Sequence, residues 1–333
     1  MKLIIQIPCF NEEKTLPTTL GDLPREVEGF DTVEWLIIDD GSTDRTVEVA
    51  REHGVHHIVR HTGNKGLAAA FRTGLNACLR VGADAIVNTD GDNQYNGADI
   101  PKLVAPIVRG EADMVIGDRQ TDTIEHFSWT KKRLQHLGSW VVRQASSTDV
   151  PDTTSGFRAF SREGAMRLNV VSDFTYTLET IIQAGRKNIA VSHVPIRTNE
   201  KLRESRLFGS IRSYVTRSMS TIVRIYTTYQ PLKVFMGIGA LLFFAGFVLG
   251  ARFLYFYAIG DGDGHVQSLL LAVLLMSLGF QTGLTGLLAD LIANNRKLVE
   301  ETLWRVRRLE FGDTDKEREH SKQTEPANEP AAV

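Results

Sequence analysis

The chain of 333 residues is poor in cysteine, with only Cys9 and Cys78. Cys9 closes an apolar run that predicts a buried strand near the amino terminus. Two cysteines, one of them in a core strand, exclude the disulfide framework that stabilises small secreted domains. The cysteine content therefore fits a reducing compartment.

The sequence also lacks a net charge of either sign and an obvious leader segment. Its 38 Lys and Arg residues nearly balance 40 Asp and Glu residues, for a formal net charge of -2. A chain with this balance has no global basic field to attract nucleic acid. The apolar run Leu3–Ile7 is too short for a signal peptide, and no small-residue cleavage site follows it. We therefore expect the first domain to stay in the cytoplasm.

Short apolar runs alternate with helical segments through the first 120 residues. The first four predicted strands are Leu3–Ile7, Trp35–Ile38, His57–Arg60 and Ala85–Thr89. This alternation predicts an α/β fold with a mostly parallel sheet flanked by helices. Further strands are predicted at Ala112–Gly117 and Ile189–Ile196. Ligands of such sheets bind beyond the carboxyl ends of the strands.

Acidic side chains follow two of these strands. Asp39 and Asp40 end the second strand, and Asp90 and Asp92 follow the fourth. On an extended backbone, side chains at i and i+2 point the same way, so Asp90 and Asp92 are expected to reach one point. Carboxylate oxygens suit Mg²⁺ or Mn²⁺ carrying phosphates, which predicts a divalent metal site. The histidines at 53, 56, 57 and 61 are expected to be surface and strand-edge residues instead.

The last third of the chain changes character. Eight Lys or Arg face only two Glu between residues 197 and 233, and the apolar residues there share one helical arc. A basic amphipathic helix lying in a bilayer surface has this pattern. Val234–Ile259 and Ser268–Ala289 are then long and apolar enough to span a membrane.

The charges around these two spans predict their orientation. Lys and Arg follow the second span, whereas the turn at 260–265 has neither. The positive-inside rule therefore predicts a multi-pass protein of the plasma membrane with both chain ends in the cytoplasm. The pairs Gly246/Gly250 and Gly279/Gly283 suit close packing between the spans or between the subunits of a homo-oligomer.

These patterns divide the chain into five predicted parts. They are a cytoplasmic α/β domain at 1–200, a basic amphipathic segment at 201–233, a transmembrane hairpin at 234–292, a juxtamembrane helix at 293–312 and a disordered tail at 313–333.

Six short motifs occur in order along the predicted α/β domain. They are Pro8-Cys9-Phe10-Asn11-Glu12, Asp39-Asp40-Gly41-Ser42-Thr43-Asp44, Asn64-Lys65-Gly66, Asp90-Gly91-Asp92, Gly117-Asp118-Arg119 and Ser155-Gly156-Phe157-Arg158. Together they resemble glycosyltransferase family two, with its GT-A fold. The closer likeness is to the polyprenyl-phosphate glycosyltransferases, such as dolichyl-phosphate mannose synthase and the bactoprenol glucosyltransferases. The resemblance covers roughly residues 1–230 and departs from the family at Gly91, Phe10 and Asp118, where Ala, Tyr and Ser are usual.

The resemblance implies a role for each matching residue. The donor nucleotide would be held by Pro8, Phe10, Glu12, Asp39, Asp40, Lys65, Asp90 and Gly91. The metal, Mg²⁺ or Mn²⁺, would be held by Asp90, Asp92 and Gln94. The acceptor phosphate would be held by Arg119, Arg133, Arg203 and Arg206. Asp92, Arg119 and Arg133 are the predicted catalytic residues, and Asp152 and Glu179 are expected to contact the sugar.

The implied reaction is inverting, metal-dependent transfer of one sugar from a UDP- or GDP-sugar to undecaprenyl or dolichyl phosphate at the cytoplasmic membrane face. Two alternatives stay open. A processive polysaccharide synthase shares the fold, although its Gln-x-x-Arg-Trp segment has no match at Gln183-Ala184-Gly185-Arg186-Lys187. A non-catalytic membrane scaffold is the second alternative. No nucleic-acid partner is expected, and the sequence leaves the sugar, the nucleotide and the lipid undecided.

Overall fold

The computed structural model describes residues 1–120, 143, 146, 148–171, 176–200, 220, 223, 224, 226, 227, 229–260 and 266–324, with side chains as far as 312. It forms two compact units. The sheet unit comprises Met1–Tyr214 and Leu303–Val333, and the hairpin unit comprises Val215–Thr302. The predicted site residues Arg133, Arg203 and Arg206, and most of the predicted interfacial helix, lie outside the described residues.

The sheet unit is built on one seven-stranded sheet with the order β3-β2-β1-β4-β6-β5-β7. The strands are β1 (Lys2–Cys9), β2 (Thr32–Asp39), β3 (His57–Arg60), β4 (Ala85–Asn88), β5 (Met114–Asp118), β6 (Arg158–Ser161) and β7 (Val191–Pro195). The first four strands are parallel, as the alternation of strands and helices predicted. Only β6 runs antiparallel to both of its neighbours, β4 and β5. β5 and β7 are parallel to each other and run in the same direction as β1–β4, so the predicted mostly parallel sheet is confirmed.

Helices connect these strands and cover the sheet. They are α1 (Leu16–Asp22), α2 (Thr46–Glu52), α3 (Leu67–Arg80), a 3-10 turn (Gly97–Asp99), α4 (Ile100–Val108), α5 (Arg162–Arg167), α6 (Thr177–Arg186), α7 (Pro231–Ala258) and α8 (Val266–Thr324). In α3 the residues Phe71, Leu75 and Leu79 are buried. Their helical spacing places them on one face, which packs on the sheet. Position 74 is also on that face, and it requires glycine because a Cβ there would come 2.4 Å from the Gln6 side chain.

The end of α8 packs against the sheet unit through arginines. Arg307 donates to the Leu168 carbonyl at 2.6 Å, just beyond α5. Arg162, at the start of α5, donates to the Phe311 carbonyl at 2.7 Å. Phe311 itself is buried. Each arginine thus satisfies a carbonyl of the other segment, which fastens residues 303–312 to the sheet unit.

The hairpin unit contains the two helices that are long and apolar enough to cross a membrane, α7 and the first part of α8. Glycines allow their backbones to approach each other. A Cβ on Gly279 would stand 2.6 Å from the backbone nitrogen of Phe243, and one on Gly246 would stand 2.7 Å from the carbonyl oxygen of Ala272. Such contacts are typical of membrane helix pairs. They bear out the predicted packing between spans at these two glycines.

The second predicted span and the juxtamembrane helix form one continuous helix, which extends to Thr324. The predicted disordered tail is therefore wrong for 313–324. The segment Lys316-Glu317-Arg318-Glu319 consists of residues with good helix propensity. Extending an existing helix also needs no new nucleus, so a charged sequence can remain helical there.

Candidate active site

Polar residues meet at the carboxyl ends of the parallel strands because the strand register aligns them. Cys9 of β1 lies opposite Asp39 of β2, and Asp39 lies opposite Arg60 of β3. On the other side of β1, Gln6 lies opposite Asn88, the last residue of β4. The carboxyl ends of β1, β2, β3 and β4 therefore form one edge of the sheet, which we call the rim. The predicted donor and metal residues lie at the rim or in the segments that follow it along the chain.

Asp39 is completely buried at this rim. Its Oδ1 accepts a hydrogen bond from the Ser42 backbone at 2.9 Å. Its Oδ2 lies 3.0 Å from Arg60 Nε. None of the described residues donates a hydrogen bond to this oxygen, so among them it is paired by charge alone. Within the described residues, Asp39 Oδ2 thus retains the capacity to accept a hydrogen bond, and it lies beside the largely exposed Arg60.

Asp40 is also buried, and protein groups surround its carboxylate. His61 Nδ1 lies 2.7 Å from Oδ1, and the backbone nitrogens of Lys65 and Gly66 donate to the two oxygens at 2.9 and 2.8 Å. Asp40 therefore holds the loop that carries Lys65, whose side chain is exposed. His61 is buried, so the prediction of a surface position for it is wrong. The reason is that the register between β2 and β3 brings it beside Asp40.

The segment after β1 lies against the predicted metal loop. A Cβ on Gly91 would stand 3.1 Å from Cys9 Sγ, 3.4 Å from Glu12 Cγ and 3.6 Å from the Pro8 carbonyl oxygen. Glu12 is buried, and its Oε2 accepts a hydrogen bond from Thr15 at 2.8 Å. Phe10 is half-buried beside them. Pro8, Glu12 and Gly91, three of the predicted donor contacts, are thus brought together.

The predicted metal ligands lie in a turn, and not on an extended strand as expected. β4 ends at Asn88, and the turn that follows includes Asn93 with a φ of 55°. Asp90, Asp92 and Gln94 are all half-buried, and the Gln94 backbone nitrogen donates to Asp92 Oδ1 at 3.3 Å. The i, i+2 argument from strand geometry therefore does not apply. The assignment of these three residues to a metal stays a prediction.

Gly156 lies directly against the carboxylate of Asp90. A Cβ there would stand 3.2 and 3.3 Å from the two carboxylate oxygens and 3.0 Å from the Tyr176 hydroxyl. The Gly156 backbone nitrogen donates to the Tyr95 hydroxyl at 2.9 Å, and its carbonyl accepts from Asn88 Nδ2 at 2.8 Å. The loop before β6 is therefore fitted tightly around the first of the paired aspartates.

Arg119 and Asp152, which were predicted to bind phosphate and sugar separately, form a two-point ion pair. Arg119 Nε and Nη2 donate to the two oxygens of Asp152 at 2.7 and 3.0 Å, and Nη2 also donates to Thr154 Oγ1 at 2.7 Å. Burial by itself would raise the pKa of Asp152, but the hydrogen bonds and charge of Arg119 lower it overall. Burial opposes the charge of Arg119 as well, yet Tyr95 and Asp152 raise the pKa of Arg119.

Glu179, the second predicted sugar contact, lies in the first turn of α6. Its carboxylate oxygens accept hydrogen bonds from the Val171 backbone at 3.1 and 3.2 Å, and Oε1 accepts one from Gln183 at 3.2 Å. These bonds join α6 to the chain that follows α5. A sugar contact for Glu179 stays a prediction.

The sequence profile of glycosyl transferase family 2 matches residues 4–168, which contain the whole rim. The uncharacterized protein MJ1222 of Methanocaldococcus jannaschii is 34% identical over 202 residues, which are 59% of this chain and 81% of that protein. The chain belongs to glycosyl transferase family 2. A further relative is the UDP-N-acetylglucosamine–dolichyl-phosphate N-acetylglucosaminyltransferase of Methanococcus voltae. It is 29% identical over 216 residues, 58% of this glycosyltransferase and 83% of the relative.

The fold of this chain is similar to that of a solved glucosyl-transferring enzyme. Glucosyl-3-phosphoglycerate synthase from Mycobacterium tuberculosis, crystallised with Mn²⁺, UDP and glucosyl-3-phosphoglycerate, superposes with a TM-score of 0.52. It is 20% identical and covers 66% of this chain and 79% of its own. The expected GT-A fold is thereby confirmed.

The predicted metal ligands would all bind through oxygen atoms. Asp90 and Asp92 would supply carboxylates and Gln94 an amide oxygen, a set that fits a hard cation such as Mg²⁺ or Mn²⁺. Among the described residues, no group of three or more His, Cys, Asp and Glu side chains is arranged to hold a metal. The remaining ligands of a cation here would come from substrate phosphates and water.

Several residues at the rim had no role in the sequence-based prediction. They are Arg60, Asn88, Tyr95, Arg158 and Tyr176. Burial raises the pKa of Tyr95 to about 12, which keeps its hydroxyl protonated at neutral pH. Arg60 was detectable in principle, since it ends the strand beside Asp39. The others lie far apart in sequence, and only the folded chain brings them to the loop before β6.

Proposed function

We propose that this glycosyltransferase moves one sugar from a UDP- or GDP-sugar to a polyprenyl phosphate at the cytoplasmic face of a membrane, with inversion at the anomeric carbon. One observation carries the proposal. A single loop, Asp152–Gly156, contacts the carboxylate of Asp90 at one end and pairs with the guanidinium of Arg119 at the other. The Asp90 carboxylate is suited to a cation and the Arg119 guanidinium to a phosphate, and this five-residue loop contacts one of them at each end.

The donor side of the site is supported by the rim. Asp39 keeps an acceptor oxygen suited to an N–H of a nucleobase, while Pro8, Glu12 and Gly91 lie together behind it. Asp90, Asp92 and Gln94 would hold Mg²⁺ or Mn²⁺, which when bound offsets the charge of a departing diphosphate. The mycobacterial structure with Mn²⁺ and UDP supports the use of a divalent metal.

The acceptor side requires a cation and no strong base. A phosphate monoester carries nearly two negative charges near neutral pH, so its oxygen is already a deprotonated nucleophile. Arginine forks hold such an anion well. Arg119 would turn part of its fork from Asp152 toward the phosphate, joined by the predicted Arg133, Arg203 and Arg206. The dolichyl-phosphate enzyme of Methanococcus voltae supports a lipid phosphate as acceptor.

The proposed step is a direct displacement. An oxygen of the acceptor phosphate forms a bond to the anomeric carbon as the bond from that carbon to the donor diphosphate breaks. The nucleoside diphosphate leaves with the electron pair, and no proton needs to move. Asp152 keeps part of the Arg119 fork paired throughout, and Asp90 and Asp92 would hold the metal whose charge offsets that of the departing group.

The two apolar helices account for the acceptor's location. A polyprenyl chain stays in the bilayer, so the enzyme that uses it needs a membrane anchor. α7 has 28 residues, which at 1.5 Å per residue exceeds a hydrocarbon core of about 30 Å. We place both termini in the cytoplasm from the distribution of Lys and Arg.

The test uses the full chain in membrane vesicles. Vesicles, Mg²⁺ or Mn²⁺, radiolabelled UDP- and GDP-sugars and a short polyprenyl phosphate should yield a lipid carrying one sugar. Asp92→Asn should lower this transfer by about 100-fold or more, as should a chelator, because the leaving group loses its charge partner. Asp149→Asn, at an almost fully exposed carboxylate, is the matched control.

Other products would contradict the proposal. A polymer would indicate a processive synthase, and no transfer to any lipid would indicate a scaffold. Retention of the donor's anomeric configuration in the product would disprove the single displacement. Full activity of Asp92→Asn in chelator-treated vesicles would remove the metal from the mechanism.

A further inference from the structure

Arg158, the first residue of β6, carries a guanidinium that is completely buried. Its donors go to four uncharged oxygen atoms at 2.6 to 3.0 Å. Within the described part of the chain, none of its hydrogen-bond partners is a carboxylate. Burying an unpaired charge is costly, and burial lowers the pKa of this group to about 10. An apolar side chain would be the less costly choice for packing alone.

The four acceptors belong to two segments of the chain. Nη2 donates to the Thr153 carbonyl and Nε to the Ser155 carbonyl, so these bonds hold the loop that precedes β6. Nη1 donates to the Thr177 carbonyl and to Thr180 Oγ1 in the first turns of α6. The planar fork of an arginine can reach all four in one geometry, which a lysine cannot do.

The loop held in this way is the one that joins the two charged ends of the site. Asp152 and Thr154 hold the guanidinium of Arg119. Gly156 packs on the carboxylate of Asp90, with room for no side chain between them. The bonds of Arg158 alternate with these contacts along the loop, at positions 153 and 155. A shift of the loop would therefore move both ends of the site at once.

We propose that Arg158 is a positioning residue that sets the separation between the metal-binding carboxylate of Asp90 and the phosphate-binding guanidinium of Arg119. It does so by clamping the loop between them to α6, and it touches neither substrate. This inference rests on the proposed function of both groups. It makes the buried arginine responsible for the distance between the donor metal and the acceptor phosphate.

Arg158→Lys tests the proposal in the full chain, purified in detergent. It keeps a positive charge but loses the fork. We expect Mn²⁺ affinity, measured by electron paramagnetic resonance without substrates, to fall about 10-fold, as is usual when support of a metal ligand is lost. The KM for a short polyprenyl phosphate should rise by a similar factor. Thr154→Ala, which removes one bond to Arg119, should raise that KM while leaving Mn²⁺ affinity within about 2-fold.

Arg162→Lys is the matched control, because Arg162 also donates to two backbone carbonyls but lies away from the rim. It should cost thermal stability without changing Mn²⁺ affinity or acceptor KM. If Arg158→Lys does not fold, Thr180→Val removes one acceptor and keeps the arginine. This variant should lower Mn²⁺ affinity and raise the acceptor KM, each by about 2- to 5-fold. Such a change corresponds to the loss of one hydrogen bond that contributes about 0.5–1 kcal/mol.

The outcomes separate this inference from the proposed function. A wild-type protein that binds Mn²⁺ and transfers sugar, with both parameters unchanged in Arg158→Lys or in Thr180→Val, would overturn the positioning role alone. A change in stability with no change in either parameter would do the same. A wild-type protein that transfers no sugar to a lipid phosphate would instead refute the proposed function.

Discussion

The sheet unit and the hairpin unit bury opposite kinds of residue. In the sheet unit, strands such as β1 place Leu3, Ile5 and Ile7 in the interior with no exposed surface. In the hairpin unit, Leu241 is 70% exposed and Phe244 is 66% exposed, whereas Gly239 and Gly246 are buried. Water drives apolar side chains inward in the first unit. In a bilayer that driving force is absent, and close backbone contact holds the helices together instead.

The sheet unit adds a second contrast, since its interior also contains charged and polar groups. Arg158, Asp39 and Asn88 are all completely buried there. Such groups need hydrogen bonds to offset the loss of water. These three groups lie at or beside the rim, where the candidate site is. We therefore interpret their buried polarity as part of the candidate site, and the exposed apolar surface of the hairpin unit as a membrane-facing surface.

The largest expected effect tests the apolar interior. Ile5→Ala should lower the free energy of unfolding by about 2–5 kcal/mol, because it removes buried methyl groups and leaves a cavity. Leu241→Ala removes a similar volume from an exposed position and should cost less than about 0.5 kcal/mol. Chemical unfolding of both variants in the same detergent measures the difference. Equal losses would show that the two units are stabilised in the same way.

An intermediate effect tests the polar interior. Asp152→Asn should destabilise the protein by about 1.5–3 kcal/mol at neutral pH, since it weakens charged hydrogen bonds to Arg119. The folded-state pKa of Asp152 is lowered, so its contribution is present above the unfolded-state pKa of about 3.9. It is lost as the pH falls through the lower folded-state value.

Thermal melting of wild type and Asp152→Asn across a pH series measures this dependence. The stability difference between them should shrink only at acidic pH. Asp31→Asn alters a carboxylate that is largely exposed and serves as the control. A difference that grows as the pH falls would mean that the sign of the argument is wrong.

The smallest expected effect tests the helix contact of the hairpin. Gly279→Leu would place a Cβ 2.6 Å from the Phe243 backbone, so the helices must separate, at about 1–3 kcal/mol for overpacking. Gly237→Leu changes helix propensity equally but has open space around it. Unfolding of the helices in mixed micelles, followed by circular dichroism, compares the two. Similar stability for both variants would argue against glycine packing in the hairpin.

Local pattern was enough to predict most of the strands. The strand at His57–Arg60 has the predicted bounds, and Ala85–Thr89 is one residue too long. These runs are short, apolar and rich in β-branched residues, and each signal lies within a few neighbouring positions. The two apolar helices were visible for the same reason. The end of α8 could not be predicted in this way, because the continuation of a helix depends on the helical residues that precede it.

Contacts between distant residues were beyond the reach of such patterns. Arg119 and Asp152 each looked like a ligand contact, yet they bind each other across 33 positions of sequence. His61 looked like a surface residue, but it packs beside Asp40. The neighbouring sequence of these residues contains no signal that indicates their partners. The register of neighbouring strands decides these pairs.

The sequence by itself determined which segments become strands, which helices are apolar enough for a membrane and which side chains follow the strand ends. Those properties depend on spacing along the chain, which side-chain period and length report directly. Only the tertiary structure decided that β6 would enter the sheet in the reverse direction and present the loop before it to Asp90. It also decided that a buried Arg158 would hold that loop, because its four bonds join segments separated by the folded path of the chain.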